Sequence, residues 1–213
     1  TNAIVDPDLI GTAGVWAKSD AVIAGGPLFA AVMRRVDPSL VVTQHVAEGV
    51  LAEKGTRVLT IEGRVAAILT AERLGLNFMG RLSGIATQTQ RCVDAVAGTH
   101  TIILDTRKTL PGFRSLDKYA VRAGGGGNHR TALDAGVLIK ENHIMAAGGV
   151  AAAVRRAKAG ASHLLKVEVE IERLDQLEDA IEAGADVVML DNMDNAQLRD
   201  GVARVAGRVQ IEA

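Results

Sequence analysis

Aromatic residues are nearly missing from this 213-residue chain, at 2% of the composition. Stacking platforms for nucleic-acid bases need such rings and a basic balance, whereas the pI here is about 6.5. Nucleic acid is therefore not an expected partner. Cysteine is as scarce: Cys92 stands alone. That excludes an intramolecular disulfide and a cysteine-based zinc site, and it fits a reducing cytoplasm. No apolar run approaches the roughly 20 residues of a membrane span, and no charged-then-apolar leader opens the sequence. The composition reads as a soluble, intracellular, globular protein.

About half of the residues are apolar, mostly Ala, Val and Leu, and 23 are Gly. This suits layered α/β packing, in which small residues let helices lie close on a sheet. Two parts are expected. Residues 1–82 read as a small α+β domain with strands near 10–18, 21–24, 40–45 and 57–62, a helix after Pro27, and the start of a long helix. That helical pattern covers 65–81 and 85–96, with a break at Ser83-Gly84. Residues 83–213 carry the second part. There the strings TIILD, VLIKE, LLKVEVE, VVMLD and RVQIE alternate with helical segments near 115–123, 150–159, 172–183 and 195–205. Strand-helix-strand units with short links predict parallel strands and right-handed crossovers.

Every one of those strands ends in charge. Charged residues at the C-terminal ends of successive parallel strands mark an α/β barrel, whereas an open doubly wound sheet concentrates its site at one switch point. Five strands are fewer than the eight of a closed barrel. The fold class predicted is thus α/β: an incomplete parallel α/β barrel preceded by the α+β domain.

Cations are concentrated in the stretch from Asp105 to His143. It holds seven Arg or Lys against four acids, a net of +3 in a chain of net −1. Guanidinium and ammonium groups interleaved with glycine suggest a site for a small, highly charged anion. Arg107 and Lys108 follow TIILDT directly; solvated loop cations are the plain alternative, and a strand-end position argues against it. Gly124 to Gly127 lead into Asn128-His129-Arg130. They read either as a loose hairpin or as bare main chain that a ligand approaches. The run matches neither a Walker loop nor a dinucleotide fingerprint. Lys140 stands in the apolar string VLIKENH and needs an anion or an exit to solvent. His143 reads as a structural hydrogen-bonder.

On the following strands, Glu170 and Asp191 offer oxygen to Mg²⁺ or sugar hydroxyls, or a salt bridge to Lys140 or Arg107. The spacing 170, 191, 212 predicts equivalent places on neighbouring strands. Glu168 is expected to face the core with Lys166, or a pleat irregularity intervenes. Arg73, on a mostly apolar helix beside Glu72, has the character of an arginine that crosses a subunit interface.

The strings AERLGLNFMGRLSGIATQT, DTRKTLPGFR, KYAVRAGGGGNHR, VLIKENHI, VEVE and MLDNM occur in that order over residues 72–193. With them the sequence resembles the quinolinate phosphoribosyltransferases. DAVIAGGPLF and GTRVLTIEG match more loosely. The resemblance implies transfer of phosphoribose from phosphoribosyl pyrophosphate to quinolinate with loss of CO₂, giving nicotinate mononucleotide and pyrophosphate for NAD biosynthesis. It implies that Thr106, Arg107, His129, Arg130 and Lys140 hold the quinolinate carboxylates, and that Lys108 faces the sugar phosphate. Glu170 and Asp191 would serve the ribose hydroxyls and Mg²⁺, directly or through water; Lys140, Glu170 and Asp191 are the implied catalytic set. Arg73 would enter a partner's site, so a homodimer with shared sites, or a higher oligomer, is implied. The chain departs from the family pattern at Ala132, where the family has Gly, and at Ala135, where it usually has Asp. Relative to the family both ends are expected to be truncated, with a helical segment before Thr1 and phosphate-binding loops after Ala213. Two other readings stay open: an anion-binding fragment without turnover, and a paralogue acting on another planar carboxylate.

Overall fold

The computed structural model describes residue 1 and residues 3–213. It divides into two compact units, Thr1–Thr131 and Ala132–Ala213.

The first unit is built on an antiparallel sheet of order β1-β5-β3, from β1 (Ile10–Trp16), β3 (Val41–Gln44) and β5 (Arg57–Arg64). The short strands β2 (Ala21–Val22) and β4 (Leu51–Ala52) form a separate pair. Helix α1 (Gly26–Val36) carries Pro27 in its first turn, where the missing N–H costs nothing. Glu48 accepts from the Gly25 and Gly26 N–H groups at 2.7 and 2.9 Å and so caps this helix from a distant loop. α1 packs on α2 (Val65–Ala95), where Gly75 leaves room for the fully buried Phe29 ring; a Cβ at Gly75 would lie 2.7 Å from it. Phe29, Met33, Leu59 and Ile61 anchor the core. Each such burial stabilises by roughly 1.5–3 kcal/mol.

α2 is continuous through Ser83-Gly84, so the expected break is absent. Ser83 Oγ donates to the Ala24 carbonyl at 3.1 Å and accepts the Ala24 N–H at 3.0 Å. Leu82 and Ala86 on either side are buried against α3 (Arg114–Ala123) and β2. A mid-helix glycine costs about 1 kcal/mol, less than this packing supplies. The position expected to separate two domains, 82/83, therefore lies inside one helix.

The string TIILD does not form a strand. It makes one parallel bridge, Leu104 to Gly127. Glycine offers no side chains to pack on a pleated surface, so the ladder does not extend.

In the second unit, β6 (Val137–Ile139), β7 (Val167–Ile171), β8 (Val187–Leu190) and β9 (Gln210–Glu212) form a parallel sheet in chain order. The intervening helices are α4 (Glu141–Ala147), α5 (Val150–Gly160), α6 (Leu177–Glu182) and α7 (Asn195–Val205). One sheet face, carrying Ile139, Val167, Val169, Ile171, Val188 and Leu190, is buried with Val154, Leu177 and Val205. α7 starts at a capping box: Asp194 accepts from the Ala196 and Gln197 N–H groups, and Gln197 accepts from the Asp194 N–H. Asp186 fixes the start of β7 by accepting from the Val167 N–H at 2.7 Å. Burial pushes its carboxyl up, but that N–H and the Lys158 ammonium hold it below its ordinary value.

Register corrects two expectations about acids. Glu168 and Glu170 share the face opposite Val167, Val169 and Ile171, because alternation has period two. Met189 pairs in register with both Glu170 and Glu212, so Asp191 sits beyond their level rather than at it. Among the described residues, no helix is long and apolar enough to cross a membrane.

Candidate active site

The cationic stretch of the first unit is organised by a buried ion pair. The Lys118 ammonium on α3 meets the Asp105 carboxylate, with side-chain exposures of 5% and 7%. Lys118 also donates to the His129 carbonyl at 2.8 Å, and Asp105 accepts the His129 N–H at 2.9 Å. Asn128 Nδ2 donates to Asp105 at 2.5 Å and to the Lys118 carbonyl at 3.0 Å. These bonds join the segment bearing Thr106, Arg107 and Lys108 to the one bearing His129 and Arg130. His129 Nδ1 accepts the Arg130 N–H at 2.8 Å, which leaves Nε2 as the protonated nitrogen of the neutral ring.

Arg114 makes a second tie. It donates to Thr109 Oγ1 at 3.4 Å, the Thr131 carbonyl at 3.2 Å and the Arg107 carbonyl at 3.5 Å. Below the loop, Asp117 grips Arg81 of α2 through two bonds of 3.0 and 2.8 Å, and Phe113 stacks on Phe78 with ring centroids 5.9 Å apart. The Arg107 Nε is buried yet has no hydrogen-bond partner. A buried guanidinium nitrogen left without a partner is prepared for an outside anion.

The glycine run proves to be a packing device. A Cβ at Gly124 would lie 2.3 Å from the Ala86 carbonyl oxygen; one at Gly126 would lie 2.8 Å from Thr89, and one at Gly127 2.7 Å from Leu104. Only Gly125 faces room, at φ 85°. The reading of this run as bare main chain for a ligand gives way to helix-on-loop contact.

In the second unit, Lys140 is not inside a strand. It follows β6 and caps α4, where its N–H donates to His143 Nδ1 at 3.0 Å. His143 thus has the structural role its position suggested. Lys140 Nζ lies 2.5 Å from Glu170 Oε1, the salt bridge considered from sequence. Asn192, with φ 54°, donates to Asp191 at 3.1 Å. Glu170 and Asp191 line a cleft of about 160 Å³ with Glu141, Glu172, Arg173 and Gln176. Arg73 is exposed on α2. Sequence reasoning singles out neither Lys118 nor Asn128. The usable signal was the rule that a lysine on a packed helix face needs an acid, and Asp105 was available.

Parallel strands whose C-terminal ends carry Lys140, Glu170 and Asp191 place the second unit in the class of α/β-barrel strand-end sites. Residues 1–83 match the family model described as the N-terminal domain of quinolinate phosphoribosyl transferase, and residues 85–213 match its C-terminal domain. A human protein named nicotinate-nucleotide pyrophosphorylase (carboxylating) is 42% identical over 188 residues, 87% of this chain and 63% of its own length. Its namesake in Mycobacterium leprae is 40% identical over 206 residues, 96% of this chain and 72% of its own. The crystal structure of NadC from Streptococcus pyogenes superposes with a TM-score of 0.94 at 40% identity, covering 99% of this chain and 74% of that one. The chain belongs to the quinolinate phosphoribosyl transferase family. It spans roughly two thirds of the length of these curated relatives.

Proposed function

We propose that this protein transfers phosphoribose from phosphoribosyl pyrophosphate to the ring nitrogen of quinolinate and releases CO₂, forming nicotinate mononucleotide and pyrophosphate. The observation that carries the reading is the cation set around Arg107, whose buried Nε lacks a partner, in a chain of this family. One substrate is a dicarboxylate and the other a polyanionic sugar phosphate, so guanidinium and ammonium donors are the chemistry required.

Thr106, Arg107, His129, Arg130 and Lys140 would hold the two carboxylates, and Lys108 would meet the sugar phosphate. Loss of pyrophosphate leaves positive charge on the ribose carbon, which the carboxylates of Glu170 and Asp191 stabilise without reorganising. Loss of CO₂ puts an electron pair on the ring carbon beside the quaternised nitrogen, the flanking cations lower that barrier, and a proton from solvent then takes up the pair to give the C–H bond of the product. The cleft lined by Glu141, Glu170, Glu172, Arg173 and Asp191 offers carboxylate oxygens, and Glu170 and Asp191 would hold Mg²⁺, directly or through water. Bound there, Mg²⁺ would neutralise charge on the departing pyrophosphate. The exposed Arg73, with Leu69 and Leu74 exposed on the same helix, supports a homodimer in which it serves the partner's site. A cytoplasmic setting is supported by the single cysteine.

Incubation with quinolinate, phosphoribosyl pyrophosphate and Mg²⁺ should yield nicotinate mononucleotide, followed by chromatography. No product would refute the assignment for this chain. The alternative reading, anion binding without turnover, predicts quinolinate binding by calorimetry and no pyrophosphate release.

A further inference from the structure

We infer that Asp105 and Lys118 form a positioning pair that sets the separation of the two arms of the carboxylate grip. This rests on the quinolinate reading above. Lys118 is the one lysine of the cationic stretch whose side chain is almost wholly buried, and its charge is consumed internally by Asp105. It therefore adds nothing to the field that attracts an anion. Its geometry does something else.

The His129 residue is clamped on both of its backbone polar groups. Its N–H donates to Asp105 Oδ1 at 2.9 Å, and its C=O accepts from Lys118 Nζ at 2.8 Å. The two clamping groups are themselves an ion pair, so each charge-assisted bond polarises the next. Asn128 closes the ring by bonding both Asp105 and the Lys118 carbonyl. Asp105 precedes Arg107 by two residues, and Arg130 follows His129 directly. The pair thus connects one cationic arm, Arg107-Lys108, to the other, His129-Arg130.

A planar aromatic ring with adjacent carboxylates has a fixed distance between its anionic oxygens. Grip by two arms requires a matching distance between them, and small misplacement of such arms costs heavily in rate and affinity. A buried pair that fixes main chain rather than touching ligand can set this distance without altering the charge that the ligand meets. Asp105 and Lys118 are positioning residues in this sense, not catalytic ones.

The test uses Lys118→Met, Lys118→Arg and the double variant Asp105→Asn with Lys118→Met. The double variant leaves no unpaired buried charge and guards against a single variant that fails to fold. Two readouts are needed. The first, without ligand, is amide hydrogen exchange at His129 and Arg130, which should become about tenfold faster in Lys118→Met and in the double variant, as loss of a charge-assisted bond predicts. The second is calorimetric affinity. For quinolinate it should weaken by about tenfold or more in the same variants and recover in part with Lys118→Arg, while affinity for phosphoribosyl pyrophosphate, which meets only Lys108 of these two arms, falls by no more than about threefold. A folded double variant with wild-type exchange at His129 and wild-type quinolinate affinity overturns the inference. Equal weakening toward both substrates also overturns it, because a general loss of structure would do that. Should wild-type protein fail to bind quinolinate, the substrate reading fails, and the exchange data alone decide the clamp.

Discussion

Lys140 and Glu170 face each other across the ends of two neighbouring parallel strands, Nζ 2.5 Å from Oε1, and they neutralise one another in the absence of ligand. Both belong to the proposed site, so an arriving carboxylate competes with Glu170 for the ammonium. The lysine side chain is half exposed, which limits the pair to about 1 kcal/mol or less. Glu170→Gln should therefore tighten quinolinate binding by no more than about fivefold. The same change should lower turnover with phosphoribosyl pyrophosphate by far more, on the order of 100-fold, if Glu170 stabilises charge on the sugar. Calorimetry and product assays read the two effects separately, and unchanged turnover would remove Glu170 from the chemistry.

Arg107→Ala and Arg130→Ala should each weaken quinolinate binding by about 10- to 100-fold, the loss of one charge-assisted contact of roughly 1.5–3 kcal/mol. Arg107 Nε makes no bond within the protein, so its removal should leave the melting temperature within a few degrees of wild type. Wild-type affinity in both variants would show that the carboxylates bind elsewhere.

Tyr119 is the only tyrosine, which makes its ionisation directly visible in the ultraviolet. Burial, then the hydrogen bond to Glu48 and that carboxylate's charge, push the phenol up to about 12 from an ordinary 10.0. A raised value favours the neutral form in the folded state. The contribution to stability is thus complete below about pH 10 and lost as pH rises through about 12. Alkaline titration should give a midpoint about two pH units above that of the denatured chain, and Glu48→Gln should bring it down. A midpoint near 10 in folded protein would contradict the Tyr119–Glu48 contact.

Gly124→Ala should destabilise the first unit by about 1–3 kcal/mol, because the new Cβ strikes main chain of α2 that cannot give way. Thermal unfolding read by circular dichroism checks this, and a neutral result would mean that α2 and the loop separate easily.

Much of this arrangement was legible in the sequence because its signals are local. Alternating strings and charged strand ends located β6 to β9, and Pro27 marked the start of α1. Failures occurred where long-range contact overrides local preference. Ser83-Gly84 reads as a break until Ser83 is seen bonding both polar groups of Ala24. TIILD reads as a strand until its neighbour proves to be glycine. The site was legible as a set of cations but not as a structure. Lys118 adds to the formal charge of the stretch, and nothing in its spacing reveals that Asp105 cancels it. The even spacing of Glu170, Asp191 and Glu212 counted residues along helices and loops whose lengths differ, so it did not measure register.

The four consecutive glycines carry a consequence for how this protein can change over time. Gly124 touches main chain of α2 that excludes any side chain, Gly126 and Gly127 meet the side chains of Thr89, Val121 and Leu104, and Gly125 has space but a left-handed backbone. Substitution there is open chiefly to asparagine and aspartate, which tolerate that conformation. In a library randomised over all four codons, survivors should keep glycine at the first position and lean toward those two residues at the second. A segment that looks like the most permissive part of the chain is among its least replaceable.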